Sequence, residues 1–233
     1  MLDQRKRRTD GERTRDAILR EAVSLATLDG LEGLSIGNLA GALEMSKSGI
    51  YAHFGSKQDL QLATVDQAGR IFQAEVIEVA LAASPGRAQV LAVCDAFFDH
   101  LVRRTFPGGC FFAGAVLEMG TRPGPVKEQI AAFQAGFTAL IRGFIVTALE
   151  RRELPADEDP DALAFELNGI ILAANTNFVL RGEPGALDMA RTIVRRRLGI
   201  TTSTSSPRRR RATSTSKGDA AEPVPEVPCG SSP

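Results

Sequence analysis

The spacing of apolar residues over residues 10–200 constrains the fold more than any other feature of this sequence. Apolar side chains recur three and four positions apart, as in Ile18, Ala22 and Leu25, and glycine or proline ends each run. This spacing places the apolar residues on one face of an α-helix. Sustained alternation with a period of two, which would indicate strands, is missing. The sequence therefore predicts an all-α fold.

Capping residues and breaks divide this pattern into separate helices. Ser35 and Ser46 each precede a short apolar pattern, and Ser56 with Asp59 fits the capping box of a long helix that runs to about Ser84. Proline and glycine then separate further helices. We expect these at about 87–106, 110–120, 124–153, 160–181 and 185–198.

The distribution of charge bears on nucleic-acid binding more than the total does. The 28 Lys and Arg residues balance the 28 Asp and Glu residues, which would argue against a partner made of phosphates. Residues 1–20, however, carry a local charge of +3, and residues 191–217 carry nine basic residues and no acidic one. No acidic residue lies between Met45 and Lys57. Zero net charge therefore does not exclude DNA.

The composition changes at Thr201. Of the last 33 residues, 17 are Ser, Thr or Pro, and none is Leu, Ile or Phe. Such a segment buries too little apolar surface to offset its ordering entropy, so we predict a disordered basic tail over 201–233. Its cluster Arg208–Arg211 either adds non-specific DNA affinity or is simply solvated.

Several classes of protein are disfavoured. Three cysteines without metal-type spacing and two histidines argue for a reducing, cytoplasmic location without a metal site or cofactor. We expect no secretory signal, because no apolar stretch follows the basic start, and no membrane span, because no run of 18 apolar residues occurs. The loose catalytic candidates, Glu118 near Cys110 and His100 near Asp99 and Cys94, do not form a convergent set, so we expect no enzyme.

Three short helices within about 45 residues, the last two joined by a tight turn, describe a helix-turn-helix. The N-terminal residues of its second helix would reach base edges, and exposed helix N-termini would favour phosphate. The alternative is a solvated loop with Ile50 and Phe54 in the core. The candidate DNA contacts are Ser35, Ser46, Lys47, Ser48, Tyr51, His53 and Lys57.

These residues resemble the TetR family of bacterial transcriptional regulators. The family signature ends in V-S-x-x-x-L-Y-x-H-F-x-S-K-x-x-L, and residues 45–60 read M-S-K-S-G-I-Y-A-H-F-G-S-K-Q-D-L. The resemblance covers about residues 13–60; beyond that, length and helical pattern agree but motifs do not. One position departs from the pattern, because Glu44 occupies a turn where the family usually has glycine. A positive φ there would add strain of order 1 kcal/mol, and an acid sits poorly near phosphate.

The resemblance implies an apolar ligand cavity in the C-terminal region, which holds eleven of the 12 phenylalanines. The alternative is that these rings only fill the core of a helical domain. Asn168, Asn175 and Asn177 lie in an otherwise apolar helix and need partners, whether ligand, helix or water. The candidate ligand contacts are Phe97, Phe98, Leu101, Phe112, Met119, Phe133, Phe137 and Asn175.

The resemblance also implies a homodimer, in which the last two helices of each subunit form a four-helix bundle. The alternative is that the same apolar residues pack inside one subunit. The candidate interface residues are Leu163, Leu167, Ile170, Ala174, Phe178 and Ile193.

Together these features predict a basic arm (1–9), a helix-turn-helix DNA-binding domain (10–56), a ligand-binding and dimerisation domain (57–200) and the tail (201–233). The predicted function is that of a homodimeric repressor, released from a palindromic DNA operator when a small apolar effector moves the helix that follows Ser56. The alternative is a helical adaptor that acts through its Phe-rich region without binding DNA.

Overall fold

The computed structural model describes residues 2–200, with side chains from residue 11 onward. The tail predicted over 201–233, and with it Arg208–Arg211, lies outside the described residues. Every regular element between residues 2 and 200 is helical, which confirms the all-α prediction. In chain order the elements are α1 (Leu2–Asp29), α2 (Ile36–Ala42), α3 (Lys47–Phe54), α4 (Lys57–Phe72), a π-helical turn (Gln73–Ile77), α5 (Glu78–Leu81), α6 (Arg87–Arg103), α7 (Phe111–Met119), α8 (Pro125–Glu150), α9 (Pro160–Arg181) and α10 (Gly185–Arg197).

Two boundaries differ from the sequence prediction. The backbone of α1 starts at Leu2, so residues 2–9 continue the first helix instead of forming a separate arm. The long helix after Ser56 is interrupted by the π-helical turn, where the carboxylate of Glu75 accepts hydrogen bonds from Thr105 and Arg103 and pairs with the buried ring of His100 at 2.8 Å. These partners come from α6 and the residues just after it, which local sequence does not reveal.

The three predicted serine caps are confirmed. The side chains of Ser35, Ser46 and Ser56 accept backbone N–H hydrogen bonds from Asn38, Gly49 and Asp59 at 3.0–3.1 Å. The Ser56 hydroxyl also donates to the Asp59 carboxylate at 2.6 Å. Each such cap stabilises its helix by about 1 kcal/mol, and together they fix where α2, α3 and α4 begin.

The C-terminal helices pack around a core of phenylalanine rings. Phe72, at the end of α4, is buried and makes edge contacts with four further phenylalanines and with His100, at centroid distances of 5.2–6.2 Å. Helix α10 is fastened to α6 by Arg191, which pairs with Asp95 and Asp99 at 2.7 Å. These ion pairs hold α10 against α6.

Helices α8 and α9 are long and apolar enough to cross a membrane by length and composition alone, although no run of 18 apolar residues occurs. The core helices of soluble proteins pass the same test, so this is weak evidence for a span. Both helices pack against each other and against α6. Their composition fits the core of a helical protein.

Candidate nucleic-acid interface and ligand cavity

Helices α2 and α3 are joined by a tight turn through Glu44. Its φ of +52° lies in the left-handed region, which explains why glycine is the usual residue at this position. The Met45 N–H donates to the Ala40 carbonyl at 3.0 Å, which satisfies a carbonyl at the end of α2. The turn therefore keeps its geometry with a non-glycine residue, at a cost of order 1 kcal/mol.

Helix α3 has one buried and one exposed face. Ile50 and Phe54 are buried, as predicted, while Tyr51 is 53% exposed and lies on the same side as the exposed Lys47 and Ser48. The Ser46 and Ser48 hydroxyls are 3.2 Å apart. The first turn of α3 thus presents two hydroxyls, an ammonium and a phenol, which are groups that bind base edges or phosphate.

The other three predicted DNA contacts, Ser35, His53 and Lys57, differ from these in burial or in having a partner within the chain. Ser35 and His53 are half-buried, and the Ser35 hydroxyl already caps α2. The Lys57 ammonium donates to the Glu32 carbonyl at 2.6 Å and to its carboxylate at 2.9 Å. That hydrogen bond lowers the pKa of Glu32, which also contacts Arg122. A phosphate at Lys57 would therefore compete with an existing carboxylate partner, which sequence reasoning missed.

A cavity of about 350 Å³ opens between α4, α6, α7, α8 and α9. Four of the predicted ligand contacts line it: Phe97, Phe112, Phe133 and Phe137. The rings of Phe112 and Phe133 are stacked with their centroids 3.5 Å apart. Asn168, for which the sequence left ligand, helix and water open as partners, also lines the cavity. The candidate ligand contacts did not include the other lining residues, which are Phe72, Cys110, Ala113, Gln134, Thr138, Asp161, Phe165 and Leu172.

The other four predicted ligand contacts do not line this cavity. Phe98 is fully buried under the Arg191 guanidinium, and Leu101 packs near the loop before α7. Met119 faces a surface groove between α7 and α8. The Asn175 side chain accepts the Cys110 N–H at 2.9 Å, so its partner is the start of α7. Each lies on a helix that also lines the cavity. Phe98 points about 100° away from its neighbour Phe97, whereas Leu101, Met119 and Asn175 lie one or two turns further along their helices than the lining residues.

Most of the predicted dimer residues face the core of their own subunit. Leu163, Leu167, Ala174 and Phe178 are buried within one subunit, which is what the alternative of intramolecular packing predicts. Ile170 and Ile193, together with Ala174, line a groove between α9 and α10. Helix α9 is apolar on both sides, and periodicity cannot tell which side faces inward.

Six apolar side chains of these two helices are exposed, and we call them together the α9–α10 face. It consists of Phe165, Leu172, Val179, Leu180, Met189 and Ile193. Phe165 is 81% and Leu180 79% exposed. Exposed apolar side chains clustered on a protein surface are typical of interaction sites.

The residues weighed as catalytic candidates are in inert settings. Burial raises the pKa of the Cys94 thiol to about 12, and burial also raises the pKa of Cys110, so neither forms a thiolate nucleophile near neutral pH. Burial lowers the pKa of His100, whose ring pairs with Glu75. Among the residues described, no group of three His, Cys, Asp or Glu side chains could hold a metal ion.

Family models match both parts of the chain. Residues 18–64 match a model described as bacterial regulatory proteins of the tetR family, and residues 86–194 match the tetracyclin repressor-like C-terminal domain. Together the two models cover more than half of the 233 residues. No curated protein is similar enough to count as a match.

Solved structures of similar fold include several regulators. A TetR transcriptional regulator from Chloroflexus aurantiacus is 24% identical, with a TM-score of 0.74 over 80% of this chain and 94% of that one. A TetR-family regulator from Streptomyces coelicolor is 23% identical, with a TM-score of 0.69 over 82% and 95%. AibR, in complex with isovaleryl coenzyme A and operator DNA, is 21% identical, with a TM-score of 0.63 over 78% and 97%.

Proposed function

Because the chain belongs to the TetR family of bacterial transcriptional regulators, we propose that it is a cytoplasmic, homodimeric repressor that a small, largely apolar ligand releases from a palindromic operator. Its fold is that of a DNA-binding regulator. The observation that carries the proposal is the acid-free start of α3, where Ser46, Lys47, Ser48 and Tyr51 are all exposed. These residues would contact bases and phosphates in the major groove.

The flanking residues would contact the phosphate backbone. Ser35 and Ser56 cap the N-termini of α2 and α4, where free N–H groups and the helix dipole favour anions. His53 would lie along the same path. Lys57 would have to exchange the Glu32 carboxylate for a phosphate, so we expect Lys57 to contribute less to operator affinity than Lys47 does.

We propose that the second subunit covers the α9–α10 face. The exposed apolar side chains there support this assignment, since four of the six candidate interface residues are buried in the core of their own subunit. Ile170 and Ile193 would stay in the interface. A two-fold dimer would set its recognition helices about 34–36 Å apart, which matches successive major grooves on one side of the duplex.

The phenylalanine-lined cavity would hold the effector. Its volume of about 350 Å³ is at the small end of the range for ligand sites, and its walls combine six phenylalanine rings with Gln134, Thr138 and Asn168. We expect a ligand with an apolar body and a polar end that bonds these three side chains. AibR provides a precedent, since it has been crystallised with both isovaleryl coenzyme A and operator DNA.

The direct test is selection of bound duplexes from a random DNA pool by the purified full-length protein. The proposal predicts a palindromic sequence with a defined half-site spacing. A protein that enriches no sequence would instead support the helical adaptor that acts through its phenylalanine-rich region.

The affinity for the selected operator should fall steeply with ionic strength. Each phosphate that the protein neutralises contributes about 0.9 to the slope of log affinity against log salt, and a dimer with two or more such contacts per subunit should give a slope of about −4 or steeper. Fluorescence anisotropy with a labelled operator, measured over a series of salt concentrations, gives this slope. A flat dependence would contradict phosphate contact by α3 and the helix N-termini.

Leu180→Glu should convert the dimer into monomers. The side chain is 79% exposed on α9, so a charge costs little in the isolated subunit but would be buried in the dimer. Sedimentation velocity should report a shift to the monomer mass, and operator affinity should fall with it. Leu28→Glu, at an exposed residue of α1, is the matched control and should stay dimeric. A Leu180→Glu protein that remains dimeric would place the interface elsewhere.

A further inference from the structure

The carboxylate of Glu118, near the end of α7, is bonded to the DNA-binding end of the molecule. It accepts the backbone N–H of Leu31 and that of Glu32, each at 2.7 Å. Both donors belong to the turn between α1 and α2. We call this pair of hydrogen bonds the Glu118 clasp. Such bonds to an ionised carboxylate are stronger than neutral ones and are strongly directional.

The turn is shaped to receive this carboxylate. Gly30 has a φ of +83°, and a Cβ atom at this position would lie 2.9 Å from a Glu118 oxygen. Any other residue would therefore be strained in its backbone and would crowd the clasp. Gly30 thus ends α1 and also admits the α7 side chain.

The segment before α7 makes a second contact with α1. The Gly108 N–H donates to the Thr27 hydroxyl at 3.1 Å, and the backbones are so close that a Cβ on Gly108 would collide with the Thr27 carbonyl oxygen. Helix α7 is therefore attached to the end of α1 at both of its own ends. A displacement of α7 must move the turn or break one of these attachments.

The first turn of α7 lines the proposed ligand cavity. Phe112 and Ala113 form part of its wall, and Phe112 is stacked on Phe133 of α8. A molecule that enters the cavity would lie against these rings. One short helix of nine residues thus bears both the cavity wall and the clasp.

The turn held by the clasp is also tied to α4. The Gln61 amide donates to the Leu31 carbonyl at 2.9 Å, and Lys57 donates to the Glu32 carbonyl. Arg122, just after α7, pairs with the Glu32 carboxylate at 3.3 Å. The position of the turn therefore affects α1, α2 and the start of α4 together, and these are the helices that hold α3.

We propose that Glu118 is a positioning residue for DNA binding: its clasp transmits the position of the cavity-lining α7 to the helix-turn-helix and thereby sets the distance between the two recognition helices of the dimer. The proposal rests on the proposed function. Loss of the clasp leaves each helix-turn-helix intact but lets it rotate against its own C-terminal domain. The chemistry of base contact is unchanged, and the tolerated half-site spacing widens.

The test is the isosteric variant Glu118→Gln in the full-length dimer. Its side-chain amide replaces one acceptor by a donor that faces a backbone N–H, so one hydrogen bond of the clasp is broken. Affinity is measured for the selected operator, for duplexes with one or two base pairs inserted or removed between the half-sites, and for a single half-site at low salt. Glu150→Gln, which removes an exposed charge at the end of α8, is the matched control.

We expect Glu118→Gln to bind the selected operator about tenfold more weakly than the wild type does, while its affinity for a single half-site stays unchanged. The variant should bind the duplexes of altered spacing about as well as it binds the selected operator. Amide hydrogen exchange at Leu31 and Glu32 should accelerate. Glu150→Gln should match the wild type in all of these measurements.

Two results would overturn the positioning role. An unchanged spacing profile would show that the clasp does not set the geometry, and a loss of single half-site affinity equal to the loss on the operator would show that Glu118 only stabilises the helix-turn-helix. A wild-type protein that selects no duplex would instead overturn the proposed function. The two failures are therefore distinguishable.

Discussion

The double variant Lys47→Ala, Tyr51→Ala is expected to bind the selected operator at least about a hundredfold more weakly than the wild type. A good interaction with a base edge contributes about 1–3 kcal/mol of discrimination, and a symmetric dimer forfeits each one at both half-sites. Both side chains are exposed on α3, whereas Ile50 and Phe54 are buried. The effect should therefore appear in binding and not in folding.

Three measurements identify the cause of the weaker binding. Thermal stability should change by less than about 0.5 kcal/mol, as for other exposed substitutions. The slope of log affinity against log salt should become shallower by about one for each phosphate that the variant no longer neutralises. Lys127→Ala, which removes an exposed lysine at the start of α8, is the matched control and should keep wild-type affinity. A double variant that keeps wild-type affinity would show that α3 does not contact DNA.

The sequence predicted the helix-turn-helix well because its determinants are local. Ser46 caps α3 from three residues away, and the left-handed turn at Glu44 is fixed by its immediate neighbours. Glu118 lies 87 residues from Leu31, and no local pattern pairs a carboxylate on one helix with backbone N–H groups on another. The partner of Lys57 escaped prediction for the same reason, since Glu32 is 25 residues distant.

In the C-terminal half, the sequence predicted the helices but not which of their faces are buried. Its apolar residues determine where α8 and α9 run, yet α9 has apolar side chains around its whole circumference. Leu163 faces the core and Phe165, two residues later, faces solvent. Only the packing of α9 against α8 and α10 decides between them. Phe97 lines the cavity and Phe98 does not, because adjacent residues on a helix point about 100° apart.

The largest expected effect on stability is that of Phe72→Ala. Replacing a buried phenylalanine by alanine costs about 3–5 kcal/mol, because the ring no longer packs against its neighbours and the cavity left behind collapses only in part. Phe72 should lie at the upper end of this range, since its ring contacts Phe97, Phe112, Phe133 and Phe137 at once. For a chain of this size each kcal/mol corresponds to about 2–4 °C, so the melting temperature should fall by roughly 6–20 °C.

Phe165→Ala separates this core effect from an effect on association. The Phe165 ring also borders the cavity but is 81% exposed, so its removal should cost the isolated subunit little. If the α9–α10 face is the dimer interface, the destabilisation caused by Phe165→Ala should be larger at micromolar protein than at concentrations where the protein is monomeric. The destabilisation caused by Phe72→Ala should persist in the monomer, because its ring packs within one subunit. Equal destabilisation by the two variants at every concentration would contradict both the buried role of Phe72 and the exposed role of Phe165.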